Sequence, residues 1–432
     1  METDLFTPDF KCEPFWWEDA PRPEKQLSDL PAEVDVVVVG AGYTGLHTAI
    51  QTARAGLGTL VLDADALGYG CSSRNGGQVS TSIKGSYTEL SARWGHTQAI
   101  RILKDGINSL EFLDTFIRDE KLECDWARLG RFSGAHNSAA FEASARALQG
   151  LPKEVAVDWH MVSRAEQRTE IGSDFYHGGV VYPDHGGLHP GKYHDALQQK
   201  TTAAGALMCG HTAVTRIERD GSAFVVHTER GSVRAAKVAV ATNGYTSQTT
   251  PWQRRRVIPI GSYIIATEPL SDAVAHELSP QTRVMSDSRK LVFYYRLSPD
   301  KRRMLFGGRV ALKETDDTVS APALHKAMCK IFPQLATTRI SHSWHGFVAY
   351  TFDTLPHIGE HDGIHYAMGY CGSGVSLASY CGAKMGRNIS GQGDAETSFA
   401  DQRFQTRPFY TGDPWFLAPS VLYYKWRDQL NV

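Results

Sequence analysis

The chain has 432 residues, of which 42% are apolar, and a formal net charge of -2 at pH 7. This length favours two domains, and the near-neutral charge with dispersed Lys and Arg predicts no nucleic-acid partner and no attraction to an anionic membrane. The N-terminal stretch METDLFTPDF lacks the apolar run of a signal peptide, and no apolar run is long enough to span a bilayer.

The cysteines indicate the redox compartment. All seven are scattered along the chain, with no C-x-x-C pair and no zinc-ligand spacing. We therefore expect a reduced, cytoplasmic protein with free thiols, no metal site and no transmembrane segment.

The predicted elements begin with an N-terminal arm, residues 1–30, that is rich in proline and aromatic residues. The run EVDVVVV, residues 33–39, is typical of a strand buried on both faces. A helix pattern covers residues 44–55, and TLVL, residues 59–62, predicts a second buried strand that ends at Asp63. These elements predict one right-handed βαβ unit with parallel strands.

Farther along the chain, the pattern alternates between helix and sheet. Residues 87–124 are predicted to be helical, residues 175–244 contain strand-like pieces, and residues 257–309 alternate like an antiparallel sheet. Residues 323–332 predict another helix. The stretch HYAMGYCGSGVSLASYCGAKMGRNISG, residues 365–391, predicts a strand, a glycine-rich turn and a helix.

A glycine motif, VVVVGAGYTG, joins the first predicted strand to the first helix. Gly40 permits the tight turn, Gly42 lets a pyrophosphate approach the backbone, and Gly45 lets the helix pack against the strand. Asp63 stands where a carboxylate accepts hydrogen bonds from a ribose. The motif therefore predicts a dinucleotide site, and the alternative is an α/β turn that binds no ligand. Further candidate contacts are Tyr43, Thr44 and Ala64.

A second glycine-rich stretch, GYGCSSRNGGQVS, returns toward the same cleft a few residues after Asp63. Its backbone can lie against a flat ring system, and Ser72, Ser73 and Arg74 can bond phosphate or ribityl oxygens. An NAD domain would normally continue into further βα units here, so the stretch favours FAD, and the alternative is a surface loop. The other candidate contacts are Asn75, Gly76, Gly77 and Gln78.

The order of these motifs resembles the D-amino-acid oxidase superfamily of flavoproteins. GAGYTGL, the acid after the second strand and GYGCSSRNGGQ carry the resemblance. Within the superfamily, the chain is similar to γ-glutamylputrescine oxidases and to glycine and sarcosine oxidases. Four later segments resemble the same proteins: HGGLHPGKYHDAL, VAVATNGYT, YYRLSPDKRRMLFGG and MGYCGSGVS.

The resemblance implies an α/β plus α+β fold. A glutathione-reductase-type FAD-binding domain would comprise residues 1–88, 178–246 and 340–432, with the N-terminal arm and the C-terminal tail included. A substrate domain built on a large mixed or antiparallel sheet would comprise residues 89–177 and 247–339. The resemblance also adds two expected FAD contacts, Val214 and Gly244.

The C-terminal segment is expected to form a flavin-binding turn. Gly372, Ser373 and Gly374 precede a helix that should start near Val375, and its positive end would stabilise the negative charge of the reduced flavin. The stretch GFVAYTFD has no cysteine where some relatives attach FAD, so we expect non-covalent FAD. Ser376 stands where some relatives have a lysine that binds the substrate carboxylate, so the substrate contacts must differ.

The reaction that the resemblance implies is oxidation of an amine. A hydride equivalent would pass from the carbon beside nitrogen to flavin N5, and the imine would hydrolyse. A carboxylate on the substrate favours an arginine, and Arg309 ends the predicted strand MLFGGR. Tyr263 lies on GSYIIAT, where alternating positions should face the flavin cleft, and it and His345 are further candidates. Lys313 is the candidate for oxygen activation. The alternatives are a surface salt bridge for Arg309, a core position for Tyr263 and a structural role for His345.

The leading functional hypothesis is an FAD-dependent oxidase of a small amino acid or N-substituted amine. The substrate would be glycine-like, sarcosine-like, iminodiacetate-like, pipecolate-like or γ-glutamylputrescine-like, and O2 would be the acceptor. One alternative is an FAD-dependent dehydrogenase that passes electrons to a carrier. Another is a non-enzymatic dinucleotide-binding protein.

Overall fold

The computed structural model of the protein describes residues 5–22, 29–309 and 314–429. Its strands are β1 (Phe6–Lys11), β2 (Glu33–Val39), β3 (Thr59–Leu62), β4 (Gln78–Val79), β5 (Arg131–Gly134), β6 (His160–Val162), β7 (Gly179–Tyr182), β8 (Gly186–Gly187), β9 (Leu207–Cys209), β10 (Val214–Asp220), β11 (Ala223–Thr228), β12 (Gly231–Val240), β13 (Val257–Thr267), β14 (Val284–Asp287), β15 (Tyr294–Leu297), β16 (Met304–Gly308), β17 (Ile340–Thr351), β18 (His357–His361) and β19 (Ile364–Met368).

The helices are α1 (Tyr43–Arg54), α2 (Cys71–Arg74), α3 (Tyr87–Trp94), α4 (His96–Asp119), α5 (Ser138–Gln149), α6 (Pro190–Ala203), α7 (Pro251–Arg254), α8 (Asp272–Leu278), α9 (Asp317–Ile331), α10 (Gly374–Ile389) and α11 (Leu417–Gln429).

The predicted βαβ unit is confirmed as β2, α1 and β3 at the centre of an eight-stranded sheet. The strand order is β10-β11-β12-β2-β3-β9, and β19 joins β12 with β18 beside it. β2 runs parallel to both β3 and β12, in the register Val38 opposite Val61 and Ala239. Residues on both faces of β2 are buried because helices or other strands cover them, which explains its continuous run of valines.

Helix α10 packs closely against α1 on one face of this sheet. Gly382 and Gly386 lie one turn apart on α10, and a Cβ atom at Gly386 would stand 2.7 Å from the carbonyl oxygen of Thr48 on α1. The Thr48 hydroxyl also donates a hydrogen bond to the Gly382 carbonyl at 3.0 Å. The glycines therefore let the C-terminal helix approach the helix that follows the first glycine motif.

The second sheet has nine strands in the order β1-β17-β13-β16-β15-β14-β5-β7-β6. The antiparallel pairing predicted for residues 257–309 is confirmed by the pairs β13–β16, β14–β15 and β15–β16. β1–β17 and β14–β5 are parallel, so the sheet is mixed. The expected fold class, an α/β part beside a large mixed sheet, is confirmed.

The division of the chain into domains stays a prediction, and two contacts bear on its boundaries. Asp105 of α4, a segment assigned to the substrate domain, is buried and accepts hydrogen bonds from Tyr380 Oη at 2.7 Å and from the Ser398 amide at 2.7 Å. β1, assigned with the N-terminal arm to the FAD-binding domain, pairs with β17 in the nine-stranded sheet.

The described part of the N-terminal arm that comes first, residues 5–22, lies over the body of the protein. Residues 15–17 form one 3₁₀ turn. Trp16 Nε1 donates to the Asn75 carbonyl at 2.8 Å, and Trp17 Nε1 donates to Ser73 Oγ at 2.9 Å. The arm therefore covers the second glycine-rich stretch.

His194 of α6 is fully buried beside the first glycine motif. Its Nε2 donates to the Ala41 carbonyl at 2.7 Å, and its Nδ1 accepts from Gln198 Nε2 at 3.0 Å. Arg22 Nη1 is 3.3 Å from the same Nδ1. Burial lowers the pKa of His194 to about 3, and the Arg22 charge adds to this effect. The folded protein therefore holds this ring neutral.

We expect His194 to make the free energy of unfolding fall as the pH drops from 6.5 toward 3. In the unfolded chain the histidine binds a proton below about pH 6.5, whereas in the folded protein it stays neutral down to about pH 3. Between these two pH values each unit of pH therefore lowers the free energy of unfolding by about 1.4 kcal/mol. Urea unfolding of His194→Gln at pH 7 and pH 5 should show a smaller pH-dependent loss than the wild type. The exposed His160→Gln should keep the full loss, and an unchanged loss in His194→Gln would contradict the assignment.

Candidate active site

The first glycine motif forms a turn at the carboxyl end of β2. Gly40 has a φ of +102°, a left-handed conformation that favours glycine. Gly42 occupies the N-cap position of α1 and has no side chain to cover the first-turn N–H groups. The Ala41 amide donates to one oxygen of Asp63 at 2.7 Å, and burial raises the pKa of Asp63 to about 6. The acid therefore joins the two strand ends across the cradle.

The second glycine-rich stretch contains the short helix α2, which faces the start of α1. Ser72 Oγ accepts a hydrogen bond from the Tyr43 amide at 3.0 Å. Ser73 is fully buried, and its hydroxyl donates to the Gly68 carbonyl. Arg74 donates to the Tyr69 carbonyl at 2.6 Å, and its guanidinium lies over the rings of Trp17 and Tyr69. Ser73 and Arg74 thus hold the stretch in shape.

The end of this stretch is held by its own side chains and by the nine-stranded sheet. Asn75 donates to the carbonyls of Cys71 and Ser72 and accepts from the Gly77 amide at 2.8 Å. Gln78 Nε2 donates to the Met285 carbonyl of β14 at 2.9 Å. These bonds fix a glycine-rich backbone between the α1 cradle and the nine-stranded sheet.

The C-terminal turn approaches the same region. Cys371 and Gly372 both have left-handed conformations, with φ of 51° and 97°, and α10 begins at Gly374, one residue before the predicted start. A Cβ atom at Gly372 would meet only the Tyr350 hydroxyl, at 3.8 Å. Ser376 Oγ donates to the Ser80 carbonyl at 3.1 Å, which links this turn to the second stretch.

The three glycine-rich segments surround one cavity of about 1540 Å³. Ordinary small-molecule sites have roughly 300–1,000 Å³, so the cavity has room for a dinucleotide and a substrate together. The predicted site residues in its wall are Gly40, Gly42, Tyr43, Thr44, Asp63, Ala64, Ser72, Arg74, Asn75, Gly76, Gln78, Val214, Arg309, Gly372, Ser373, Gly374 and Val375.

Some predicted residues lie behind this wall. Gly45 packs against Gly40, Gly77 packs against Leu188, and Gly244 packs against Phe347. Ser73, Tyr263 and His345 are also outside the cavity lining. Lys313 lies outside the described residues.

The shape of the cavity and the residues in its wall are suited to bind FAD. The α1 N-terminus opens into it, and its N-cap residue Gly42 has no capping side chain, which suits a pyrophosphate, while Asp63 lines the cavity where a ribose would follow. At the other end, Cβ positions at Gly372 and Gly374 meet no atom closer than 3.8 Å. These residues would hold the pyrophosphate, the ribose and the ring system respectively.

The nine-stranded sheet turns alternate residues of β13 toward the cavity. Ile258, Ile260, Ser262 and Ile264 line it, whereas Tyr263 points to the opposite face. There the Tyr263 hydroxyl donates to Glu314 at 2.8 Å and accepts from the Thr315 amide. The expectation that Tyr263 faces the cleft is therefore wrong, because its side chain lies on the face of β13 that points away from the cavity.

His345 also sits behind the sheet, directly opposite Tyr263 on β17. Its Nδ1 is 2.8 Å from Asp317 Oδ1, and this hydrogen bond raises the pKa of His345. The tyrosine pair on β15 splits between the two faces of the sheet, because Tyr294 lines the cavity and the Tyr295 hydroxyl donates to Tyr176 on the other face.

Arg309 lies in the cavity wall at the end of β16 and is only 9% exposed. Its Nη1 donates to the Gly261 carbonyl at 2.8 Å and forms an ion pair with Glu314 at 3.0 Å. Its Nε and Nη2 are buried and have no hydrogen-bond partner among the described residues. The guanidinium thus keeps two donors for a further acceptor.

Several cavity residues escaped the sequence-based prediction. Lys84 and Ser82 follow the second glycine stretch, while Arg131 of β5 and Ser286 of β14 come from distant segments. A lone cation in the serine-rich run VSTSIKGS was the one available signal, for Lys84. The α11 residues in the wall, Val421 and others, had no sequence signal.

Residues 5–22, 29–309 and 314–429 contain no cluster of His, Cys, Asp or Glu side chains that could hold a metal ion. No helix in them is long and apolar enough to cross a membrane.

Comparisons with known proteins agree with the assignment of an FAD site to this cavity. The chain is 31% identical over 372 residues to a probable oxidoreductase OrdL of Rhizobium meliloti, covering 85% of this chain and 86% of that protein. It is also 31% identical over 404 residues to the gamma-glutamylputrescine oxidoreductase of Escherichia coli, covering 92% and 93%. The resemblance stated from the motifs is confirmed.

The fold is shared with solved structures at lower identity. The crystal structure of glycine oxidase from Geobacillus kaustophilus matches with a TM-score of 0.73 at 17% identity, covering 88% of this chain and 99% of that one. A family model described as DAO, FAD dependent oxidoreductase, matches residues 35–387. The chain therefore belongs to the FAD-dependent oxidoreductases of the DAO family.

Proposed function

We propose that the protein oxidises the C–N bond of a small amino acid or N-substituted amine to an imine, which hydrolyses, with O2 as the electron acceptor. The protein is an FAD-dependent oxidoreductase of the amine and amino-acid oxidase type, so the non-enzymatic alternative is set aside. The names of two similar proteins, gamma-glutamylputrescine oxidoreductase and glycine oxidase, support this choice of substrate. Cytoplasmic location stays a prediction from the sequence.

The observation that carries the proposal is the pair of free donors on Arg309. Nε and Nη2 are buried in the wall of the cavity that the FAD cradle opens into, and they have no acceptor within the described part of the chain. A buried donor without a partner is costly, and a substrate carboxylate would satisfy both donors at once. The isoleucines of β13 would pack against the rest of a small substrate.

FAD, when bound, would accept the hydride equivalent that leaves the C–H bond beside the substrate nitrogen. The protein groups have the task of positioning that C–H bond. A carboxylate on Arg309 would fix one end of the substrate, and the β13 wall would limit its rotation.

The experiment is a screen of amines and amino acids for bleaching of the flavin under anaerobic conditions, followed by admission of air. We expect carboxylate-bearing amines to bleach it and air to restore it rapidly. Restoration only by an added electron carrier would establish the dehydrogenase instead of the oxidase. If the FAD-loaded protein is bleached by no amine and no amino acid, the proposed function is wrong.

We expect Arg309→Met to raise KM for carboxylate-bearing substrates by about tenfold to a hundredfold, because one charge-assisted interaction is lost. The rate of bleaching at saturation should fall as well, because the same contact positions the reacting C–H bond. The measurement is anaerobic stopped-flow over a range of substrate concentrations. Arg101→Met, at an exposed arginine of α4, is the control and should not alter KM. An equal defect with uncharged amines would show general damage rather than a lost carboxylate contact.

A further inference from the structure

Another arginine lines the cavity, on a strand three places from β16 in the nine-stranded sheet. Arg131 of β5 donates from Nε and Nη2 to Ser286 Oγ, at 3.0 and 2.6 Å, and from Nη1 to Ser82 Oγ at 3.3 Å. These partners are neutral hydroxyl groups, and no ion pair of Arg131 is found among the described residues. The guanidinium is therefore held in a fixed position without a counter-charge.

Lys84 lines the same cavity and follows Ser82, a hydrogen-bond partner of Arg131, by two residues. No hydrogen bond or ion pair of its ammonium group is found in the part of the chain that the structure describes. Burial lowers the pKa of Lys84, and the charges of Arg131 and Lys290 lower it further. Lys84 and Arg131 therefore add to one another's positive potential in a partly buried place.

The acidic side chains that line this region are engaged elsewhere. Asp287 forms an ion pair with Arg289 at 3.0 Å, and Glu89 accepts from the Ser86 amide at 2.7 Å at the start of α3. Burial of a cation without a compensating anion is unfavourable, so this place favours an anionic group from outside the chain.

This region is separate from Arg309, whose charge is already paired with Glu314. In the nine-stranded sheet, the strand that precedes Arg309 is β16, and Arg131 lies on β5. β15 and β14 stand between them, so the two backbones are three strand spacings, or about 14 Å, apart. One small carboxylate cannot occupy both places.

We propose that Arg131 and Lys84 form a second anion subsite, which takes a second carboxylate of the substrate. The proposal rests on the proposed function and narrows it, because the substrate would then be an amine that bears two carboxylates, one at each end. Arg309 binds one carboxylate, and the subsite binds the other. The serine hydroxyls that hold Arg131 reduce the conformational freedom that is lost on binding.

The test is calorimetric titration of the FAD-loaded protein with the dicarboxylates succinate, glutarate and adipate. The monocarboxylates butyrate, valerate and hexanoate are the chain-length-matched partners. We expect at least one dicarboxylate to bind about tenfold to a hundredfold more tightly than its partner, as one added charge-assisted interaction predicts. Equal affinities in all three pairs would overturn the proposal.

The variants Lys84→Met and Arg131→Met assign the effect to the subsite. Loss of the dicarboxylate advantage in either variant supports the proposal, and retention in both overturns it. Arg131→Met removes bonds to two serines, so its FAD content and circular dichroism are checked. Lys84→Met breaks none of the described hydrogen bonds and keeps the test valid if Arg131→Met does not fold. The control is Lys104→Met, at an exposed position on α4, which should retain the advantage.

This binding assay separates the two proposals. A dicarboxylate advantage in a protein that oxidises no amine would leave the subsite standing and reject the proposed function. Oxidation of amines by a protein without the advantage would reject the subsite alone.

Discussion

Replacing Gly45 with alanine is expected to destabilise the protein by about 3 kcal/mol or more, because the added methyl group overlaps backbone atoms that cannot move aside. A Cβ atom at Gly45 would overlap the carbonyl oxygen of Gly40 and stand 3.2 Å from Val38 Cγ1. The clash separates the first turn of α1 from the end of β2. Urea unfolding of the variant should show a clearly lower midpoint and reduced FAD content.

The matched control is Gly393→Ala. Gly393 is exposed, and a Cβ atom there would meet nothing within 4 Å. Its unfolding midpoint should equal that of the wild type. A Gly45→Ala variant as stable as this control would show that α1 can move away from β2 at little cost, contrary to the packing described.

Replacing Gly42 with valine is expected to abolish FAD binding while leaving the fold intact. Gly42 has φ of -77° and ψ of -176°, a conformation open to other residues, so glycine is required there only for space. A Cβ atom would meet Ser72 Oγ at 2.9 Å, the movable end of a side chain. The valine would fill the space in front of the helix N-terminus, where loss of two or more charge-assisted bonds lowers affinity by about a hundredfold or more.

FAD is measured in the supernatant after acid precipitation, which also tests the predicted non-covalent attachment. The wild type should release its FAD, and Gly42→Val should release almost none. Ser72→Ala, alone and combined with Gly42→Ala, separates crowding of Ser72 from crowding of the cofactor. FAD content near wild type in folded Gly42→Val would show that Gly42 does not adjoin the pyrophosphate.

The βαβ unit could be predicted from sequence because its signals are local. The run of valines defines β2 at residues 33–39, as observed, and the helix that follows is displaced by one residue from its expected bounds. The break in the predicted helix 87–124 is local too: Gly95 has a φ of +82° and separates α3 from α4. A left-handed residue interrupts a helix, and glycine adopts that conformation most easily.

The uses of individual side chains could not be predicted, because they depend on distant partners. Arg74 is predicted to bond the cofactor, and the sequence does not show that the rings of Trp17 and Tyr69 lie against its guanidinium. The sequence also does not show which alternate residues of β13 face the cavity. Both its faces are largely buried, so apolar alternation does not tell which face meets the cavity. The expectation that Tyr263 faces the cavity is wrong for this reason.

Arg131 illustrates the same limit. Nothing near it in the sequence marks it as a ligand-binding residue, since it begins a short strand in RFSG. Its significance comes from Ser286, which lies on β14, the neighbouring strand in the sheet. Only the paired strands bring the arginine, the serine and Lys84 to one cavity.

The central position of β12 in the eight-stranded sheet sets the order in which the protein can fold on the ribosome. β12 pairs along one edge with β2, near the start of the chain, and along the other with β19, which ends at Met368. Such distant pairings slow folding, and the edge of β12 that receives β19 stays open until residues 364–368 have left the ribosome. The nascent protein therefore completes its cofactor cradle late, after most of the chain has been synthesised.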